Sequence, residues 1–207
     1  MRLPEANGSR LMKSSSNCDQ VELLITGDSV AAGVGIEQIS EALAGQVVKE
    51  LKTMGRATSY QVIARSGDKI SDVIKHIETS ETLPAKNIVI SVGVNDAKGF
   101  TSSKKWIIQL SKLLALLDSR CPNAKVVLLA TPPLEQFPLL PWPLSSVMGY
   151  RSSRLNTVSA SIIKNHENGA FLPLEIQAEK VHFAEDGFHP SALSCNILAK
   201  NIVPFLE

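Results

Sequence analysis

Ser29, Asp186 and His189 are the residues of this chain whose types and order could carry out nucleophilic acyl transfer. A serine hydroxyl attacks a carbonyl well only when a positioned base removes its proton. Ser29 stands in Gly27-Asp28-Ser29, directly after an apolar run, and is the candidate nucleophile. His189, in Asp186-Gly187-Phe188-His189, is the candidate base. Asp186 lies three residues before it, close enough to hold the ring tautomer through Nδ1 and to stabilise the imidazolium. Gly67, in Ser66-Gly67-Asp68, and Asn95, in Gly93-Val94-Asn95-Asp96, are candidate oxyanion donors together with the Ser29 N–H. A glycine lets backbone approach a substrate, and a carboxamide can point at developing charge.

Each of these residues also has a purely structural reading. Ser29 and Asn95 could cap helices, Gly67 could serve a turn, and Asp186-Gly187 could begin a solvated loop. It is the four blocks together, in order along the chain, that favour a hydrolase. Asp28 and Asp96 read as braces for their loops. Of the other histidines, His182 is the runner-up base but lacks an acid at useful spacing. His76 falls on the polar side of a short helix, and His166 in a turn-rich segment.

The elements that must position these residues follow from hydrophobic spacing. Val21–Thr26, Tyr60–Ala64, Asn87–Val92, Lys125–Ala130 and Ala170–Leu172 read as strands. Helices are expected between residue 36 and Gly55, over 70–77, over 106–117, from Tyr150 to Asn165, and from Pro190 to Val203. Alternating strands and helices without hairpin signals predict an α/β fold with a parallel sheet covered on both faces. Sites in such sheets lie beyond the carboxyl ends of the strands, where the first three blocks fall.

The chain has 207 residues, 44% hydrophobic and 20% charged, with a formal net charge of +1. That suits one globular domain and supplies no field for binding nucleic acid. Residues 1–19 read as a flexible tail and residues 20–207 as a single catalytic domain. Neither a signal-peptide stretch nor a membrane span is expected, which points to the cytoplasm. Cys18, Cys121 and Cys195, odd in number and widely spaced, argue against a disulfide framework and a zinc site. Oligomeric state is not legible.

The four blocks resemble the SGNH, or GDSL-type, hydrolase family of esterases and lipases, with Ser29, Gly67, Asn95 and His189 in the positions of its four letters. Ala64-Arg65-Ser66-Gly67-Asp68, Val92-Gly93-Val94-Asn95-Asp96 and Asp186-Gly187-Phe188-His189-Pro190 are similar to the small single-domain bacterial esterase and thioesterase branch. So is Cys121-Pro122-Asn123-Ala124-Lys125-Val126, leading to Thr131-Pro132-Pro133. Val30 departs from the leucine of the GDSL motif. The resemblance covers about residues 21 to 203. It implies a flavodoxin-like three-layer α/β/α sandwich with about five parallel strands, no metal and no organic cofactor. It also implies a small-molecule acyl ester substrate.

Between Thr131 and Val147, five prolines alternate with large apolar residues, too long and too apolar for an ordinary connection. One reading makes it the wall of an acyl pocket, with Phe137, Leu140 and Trp142 as substrate contacts. The other packs it on the domain's own surface or on a partner. The activity expected is carboxylic ester hydrolysis. Acyl-thioesterase and carbohydrate O-acetyl esterase activities are alternatives on the same site, and a non-catalytic flavodoxin-like binding module is the alternative from another class.

Overall fold

In the computed structural model, residues 3–13, 21–56, 59–81, 84–175 and 179–206 are described. Six strands form one sheet: β1 (Leu11–Met12), β2 (Val21–Gly27), β3 (Tyr60–Ala64), β4 (Ala85–Ser91), β5 (Lys125–Leu129) and β6 (Gly169–Leu172). Their order is β1-β3-β2-β4-β5-β6, all parallel except the edge pair β1–β3. The helices are α1 (Ser29–Ala32), α2 (Leu43–Thr53), α3 (Ile70–Thr79), α4 (Val94–Lys98), α5 (Ser103–Arg120), α6 (Leu144–Lys164) and α7 (Ala192–Ile202). This is the expected α/β sandwich.

Alternation along the strands divides the core into two layers. Leu24, Ile88, Ile90, Val126 and Leu128 pack with α3, α5 and α6. Leu23, Ile25, Val89, Val127 and Leu129 pack with α1, α2 and α7. Every residue of β2 is buried, as an apolar central strand covered by helices on both sides must be. The chain goes from β2 to β3 on one side and then to β4 on the other. The switch point therefore lies beside the carboxyl end of β2, where such sheets open a crevice.

Two expectations are corrected. Residues 3–13 are not a flexible tail: β1 pairs with β3, and Tyr60 Oη donates to the Ser9 carbonyl at 2.9 Å. Polar composition concealed this, because the segment is held by backbone pairing and by side-chain hydrogen bonds rather than by an apolar face. The rest of the expected tail, residues 1–2 and 14–19, lies outside the described residues. Helix α6 starts at Leu144, directly after Pro143, so the proline-rich connection is shorter than its composition suggested.

Strand β2 ends in a close approach. Gly27 has φ +148°, and a Cβ there would overlap the Ser91 carbonyl of β4. Gly55, also at positive φ (+72°), has open space around it. Gly55→Ala is expected to cost about 1–2 kcal/mol, the left-handed backbone term alone. Gly27→Ala should cost clearly more, because a β2–β4 separation must also yield. Denaturant midpoints of the two variants check this, and equal losses would refute the close-packing account.

Candidate active site

The register of the sheet brings three of the sequence blocks to one edge. Gly27 of β2 lies opposite Ala64 of β3 and Ser91 of β4. Ser29, Gly67 and Asn95 follow these level strand ends by two, three and four residues. Ser29 opens α1 and is 9% exposed. Asp28 caps this short helix, its Oδ1 accepting from the Val30 N–H at 3.2 Å, and Asp28 N–H donates to the Ser91 carbonyl at 2.9 Å.

The fourth block arrives from the other end of the chain. His189 Nδ1 lies 2.6 Å from Asp186 Oδ2. Asp186 Oδ1 accepts from the Phe188 and His189 N–H groups, each at 3.0 Å. The loop closes on itself, since Ala184 N–H donates to the His189 carbonyl at 2.8 Å and Ser191 N–H to that of His182 at 3.0 Å. Phe137 packs against the rings of Phe183 and Phe188, with centroids 5.7 and 5.0 Å away. The imidazole is held by Asp186, by the backbone of its loop and by the Phe188 ring, which meets it edge-on with centroids 5.3 Å apart.

Ser29 and His189 line one cavity of about 530 Å³. Its inner wall includes Asp28, Ser91 and Val92, and the loop after β5 contributes Thr131, Pro132 and Phe137. Gly67 and Asn95 do not line this cavity. They sit beside it, joined by the Asn95 Nδ2 donation to the Asp68 carbonyl at 3.0 Å. That bond uses one of two carboxamide protons and leaves the other available. Among the described residues, none accepts from the Gly67 N–H.

The expected pocket contacts divide. Phe137 is buried and lines the cavity. Leu140 and Trp142 do not: Leu140 packs against the core, and Trp142 is 81% exposed. A turn of 3₁₀ helix at Leu134–Gln136 directs Leu134 and Phe137 inward, after which the chain runs outward to α6. Asn156 of α6 pins the start of this loop, accepting from Thr131 N–H at 2.8 Å and donating to its carbonyl at 2.7 Å. The wall missed in the sequence comes from Leu174, after β6, and from Ile197 and Leu198 of α7. The available signal was that α7 carries more apolar residues, Leu193, Ile197 and Leu198 among them, than one buried stripe needs. His182 also lines the cavity, but its Nδ1 lies 3.3 Å from Ser194 Oγ rather than beside a carboxylate.

The carboxyl groups around the site are tuned in opposite directions. Burial lifts Asp28 to about 7; the Val30 N–H opposes this, while Asp96 and Asp68 add to it. Burial also raises Asp68, against the pull of His76, and raises Asp96, against hydrogen bonds from Ile70 N–H and Thr101 Oγ1. Partial burial would raise Asp186 too, but the His189 ring and the His189 and Phe188 amides outweigh it and hold the group below the usual carboxylate range. Asp28 and Asp96 therefore act as the braces expected of them: Asp96 accepts from Ile70 N–H and Thr101 Oγ1, both at 2.8 Å, joining α3 to the loop after α4.

Residues 25–194 match the GDSL-like Lipase/Acylhydrolase family. No curated protein matches the chain. Among solved structures, the chain is similar to TesA, with TM-score 0.72 and 20% identity over 90% of this chain and 98% of that one. It is also similar to the lipase/acylhydrolase from Enterococcus faecalis, with TM-score 0.67 and 21% identity over 88% and 94%. A third is Axe2-W215I, an acetyl xylan esterase from Geobacillus stearothermophilus, with TM-score 0.62 and 16% identity over 89% and 94%. At these identities the likeness is one of fold. Among the described residues, no helix is long and apolar enough to cross a membrane.

The Asp28 environment has a measurable consequence. An unfolded aspartate releases its proton near pH 4, roughly its model-peptide value, whereas folded Asp28 holds it to about 7. The folded state therefore binds the extra proton in that window, and stability should fall as pH rises from about 4 to about 7. Asp186 has the opposite sign: its contribution is present above the ordinary carboxylate range and is lost as pH falls through its lowered folded value. Asp28→Asn is expected to make the decline between pH 4 and 7 shallower, measured as denaturant midpoint against pH. An identical decline in wild type and variant would contradict the burial of this carboxyl group.

Proposed function

Since this chain belongs to the GDSL-like lipase/acylhydrolase family, we propose that it is a serine hydrolase that cleaves carboxylic esters through a covalent acyl-enzyme. The observation that carries this reading is the cavity shared by Ser29 and His189, whose ring is held at Nδ1 by Asp186. These side chains come from opposite ends of the chain, and a structural role for either one requires no such meeting.

In the proposed reaction, His189 Nε2 takes the Ser29 hydroxyl proton as the oxygen attacks the ester carbonyl carbon. Asp186 holds the other ring nitrogen protonated and stabilises the imidazolium. The carbonyl oxygen, now negative, accepts hydrogen bonds from the Ser29 and Gly67 N–H groups and from the Asn95 carboxamide. Collapse of the tetrahedral intermediate breaks the ester C–O bond, and the departing alkoxide takes the proton from His189. Water then attacks the acyl-enzyme with His189 again as base, releasing the acid and restoring Ser29. The acyl group occupies the cavity between the loop after β5 and α7, whose sides are formed largely by apolar residues.

A fluorophosphonate should label wild-type protein covalently at one site, and Ser29→Ala should abolish labelling. Esterase activity should fall by about 10⁴ in Asp186→Asn, as the ring loses its correct tautomer, and by about 10²–10³ in Asn95→Ala. Wild-type protein unlabelled at Ser29 would defeat the proposal. The acyl assignment is tested separately with p-nitrophenyl esters of increasing chain length. Each methylene accommodated should improve kcat/KM about fourfold, the equivalent of about 0.8 kcal/mol. Ile197→Trp should lower the longest chain accepted, and Trp142→Ala should leave the profile unchanged. The reverse pattern would place the acyl chain on the outer loop.

A further inference from the structure

Gly67 is held in place by its neighbours and not by packing. It has φ +90°, and no heavy atom lies within 4 Å of where its Cβ would be. On the far side of it, the Asp68 carbonyl is tied to Asn95. On the near side, the Ser66 N–H donates to Glu5 Oε1 at 2.6 Å. Glu5 is itself fixed by Arg10, whose Nη2 lies 2.6 Å from Glu5 Oε2 and whose Nη1 donates to the Ala64 carbonyl at 2.5 Å. A carboxylate and a guanidinium from the N-terminal segment thus clasp the chain on both sides of Arg65, immediately before Gly67. Both side chains are one-third exposed.

The same segment also grips the other half of the site. Ala6 N–H donates to the Ala32 carbonyl at the end of α1 at 3.2 Å, and Gly35 N–H donates to the Pro4 carbonyl at 3.0 Å. A Cβ on Gly33, the residue closing α1, would press against the Ala6 methyl group. Residues 4–10 therefore connect the helix that begins at Ser29 to the loop that carries Gly67. Plain docking of an extra segment could rely on the β1–β3 pairing alone; it has no need of a charge-assisted bond to an amide next to the site.

We propose that residues 4–10 are a positioning brace for the oxyanion loop, with Glu5 orienting the peptide that leads into Gly67 and Arg10 anchoring Glu5. This rests on the hydrolase reading, in which the Gly67 N–H binds the oxyanion. A donor displaced by about 1 Å can cost on the order of 10² in rate while leaving substrate binding intact. Glu5 and Arg10 touch no reacting atom and act through the backbone.

The test uses the full chain with Glu5→Ala, Glu5→Gln and Arg10→Met. Four quantities are measured: kcat and KM on p-nitrophenyl butyrate, amide hydrogen exchange at Ser66 and Asp68, and denaturant midpoint. Glu5→Ala should lower kcat about 10- to 100-fold with KM within about twofold. It should speed exchange at Ser66 and Asp68, whose amides are hydrogen-bonded, without speeding it in β2 or β4. Glu5→Gln, whose amide oxygen can still accept from Ser66, should recover most of the rate at a stability equal to or below that of Glu5→Ala. If Glu5→Ala does not fold, Arg10→Met must show the same kcat loss and local exchange. Wild-type kcat with unchanged exchange, or a rate loss that Glu5→Gln does not recover, would overturn the brace. Failure of Ser29 labelling in wild-type protein would overturn the hydrolase reading instead. Accelerated exchange at Ser66 and Asp68 in Glu5→Ala would still report the clasp in that case.

Discussion

The close contact between β2 and β4 at Gly27 and Ser91 sets the geometry of everything above the sheet. Parallel strands in register end level, and a residue without a side chain lets the two central strands end in backbone contact. From these level ends, short turns of two to four residues reach Ser29, Gly67 and Asn95. Their mutual placement is therefore inherited from a buried and rigid part of the molecule. Longer or staggered exits would leave it to loops with little packing to hold them.

The electrostatics of the site follow from which carboxyl groups find partners. Asp28, Asp68 and Asp96 lie in the segments just after β2, β3 and β4, where burial opposes their charges. Asp186 lies in a more open loop, and donated hydrogen bonds outweigh its partial burial. The first group shapes backbone, as Asp28 does at Val30 and Asp96 at Ile70. The second faces an imidazole, where a stable negative charge is chemically useful. A single residue type thus plays two parts, and solvation with hydrogen bonding separates them.

Two segments that composition marked as peripheral border the site. The polar N-terminal residues lie along α1 and clasp the chain before Gly67. The final helix, in sequence an ordinary cover for the sheet, turns Ile197 and Leu198 toward the cavity. In exchange, the proline-rich connection contributes only its first part, from Thr131 to Phe137, and then leaves for α6. The cavity is bordered by the ends of β2, β4 and β5, by the segment after β6 and by the last helix, and Val94, beside Asn95, lies on its wall.

What the sequence by itself determined was whatever depends on local pattern. Apolar runs located five of the six strands, and in the central ones burial on both faces favours β-branched residues. Ser29, Gly67 and Asn95 stood out as polar or small residues in turns after strands, and Asp186 and His189 as an acid and a base three residues apart before the last helix. Only the tertiary structure decided which distant groups meet. The two-residue strand β1 has no periodicity to read, and the Glu5–Ser66 bond joins residues 61 positions apart through a charge that looks like any surface charge. Leu140 and Trp142 were indistinguishable from Phe137 in composition, yet chain direction after a single 3₁₀ turn sent them elsewhere. Long-range contacts depend on where rigid elements carry their ends, and that information is spread over the whole core rather than written near any one residue.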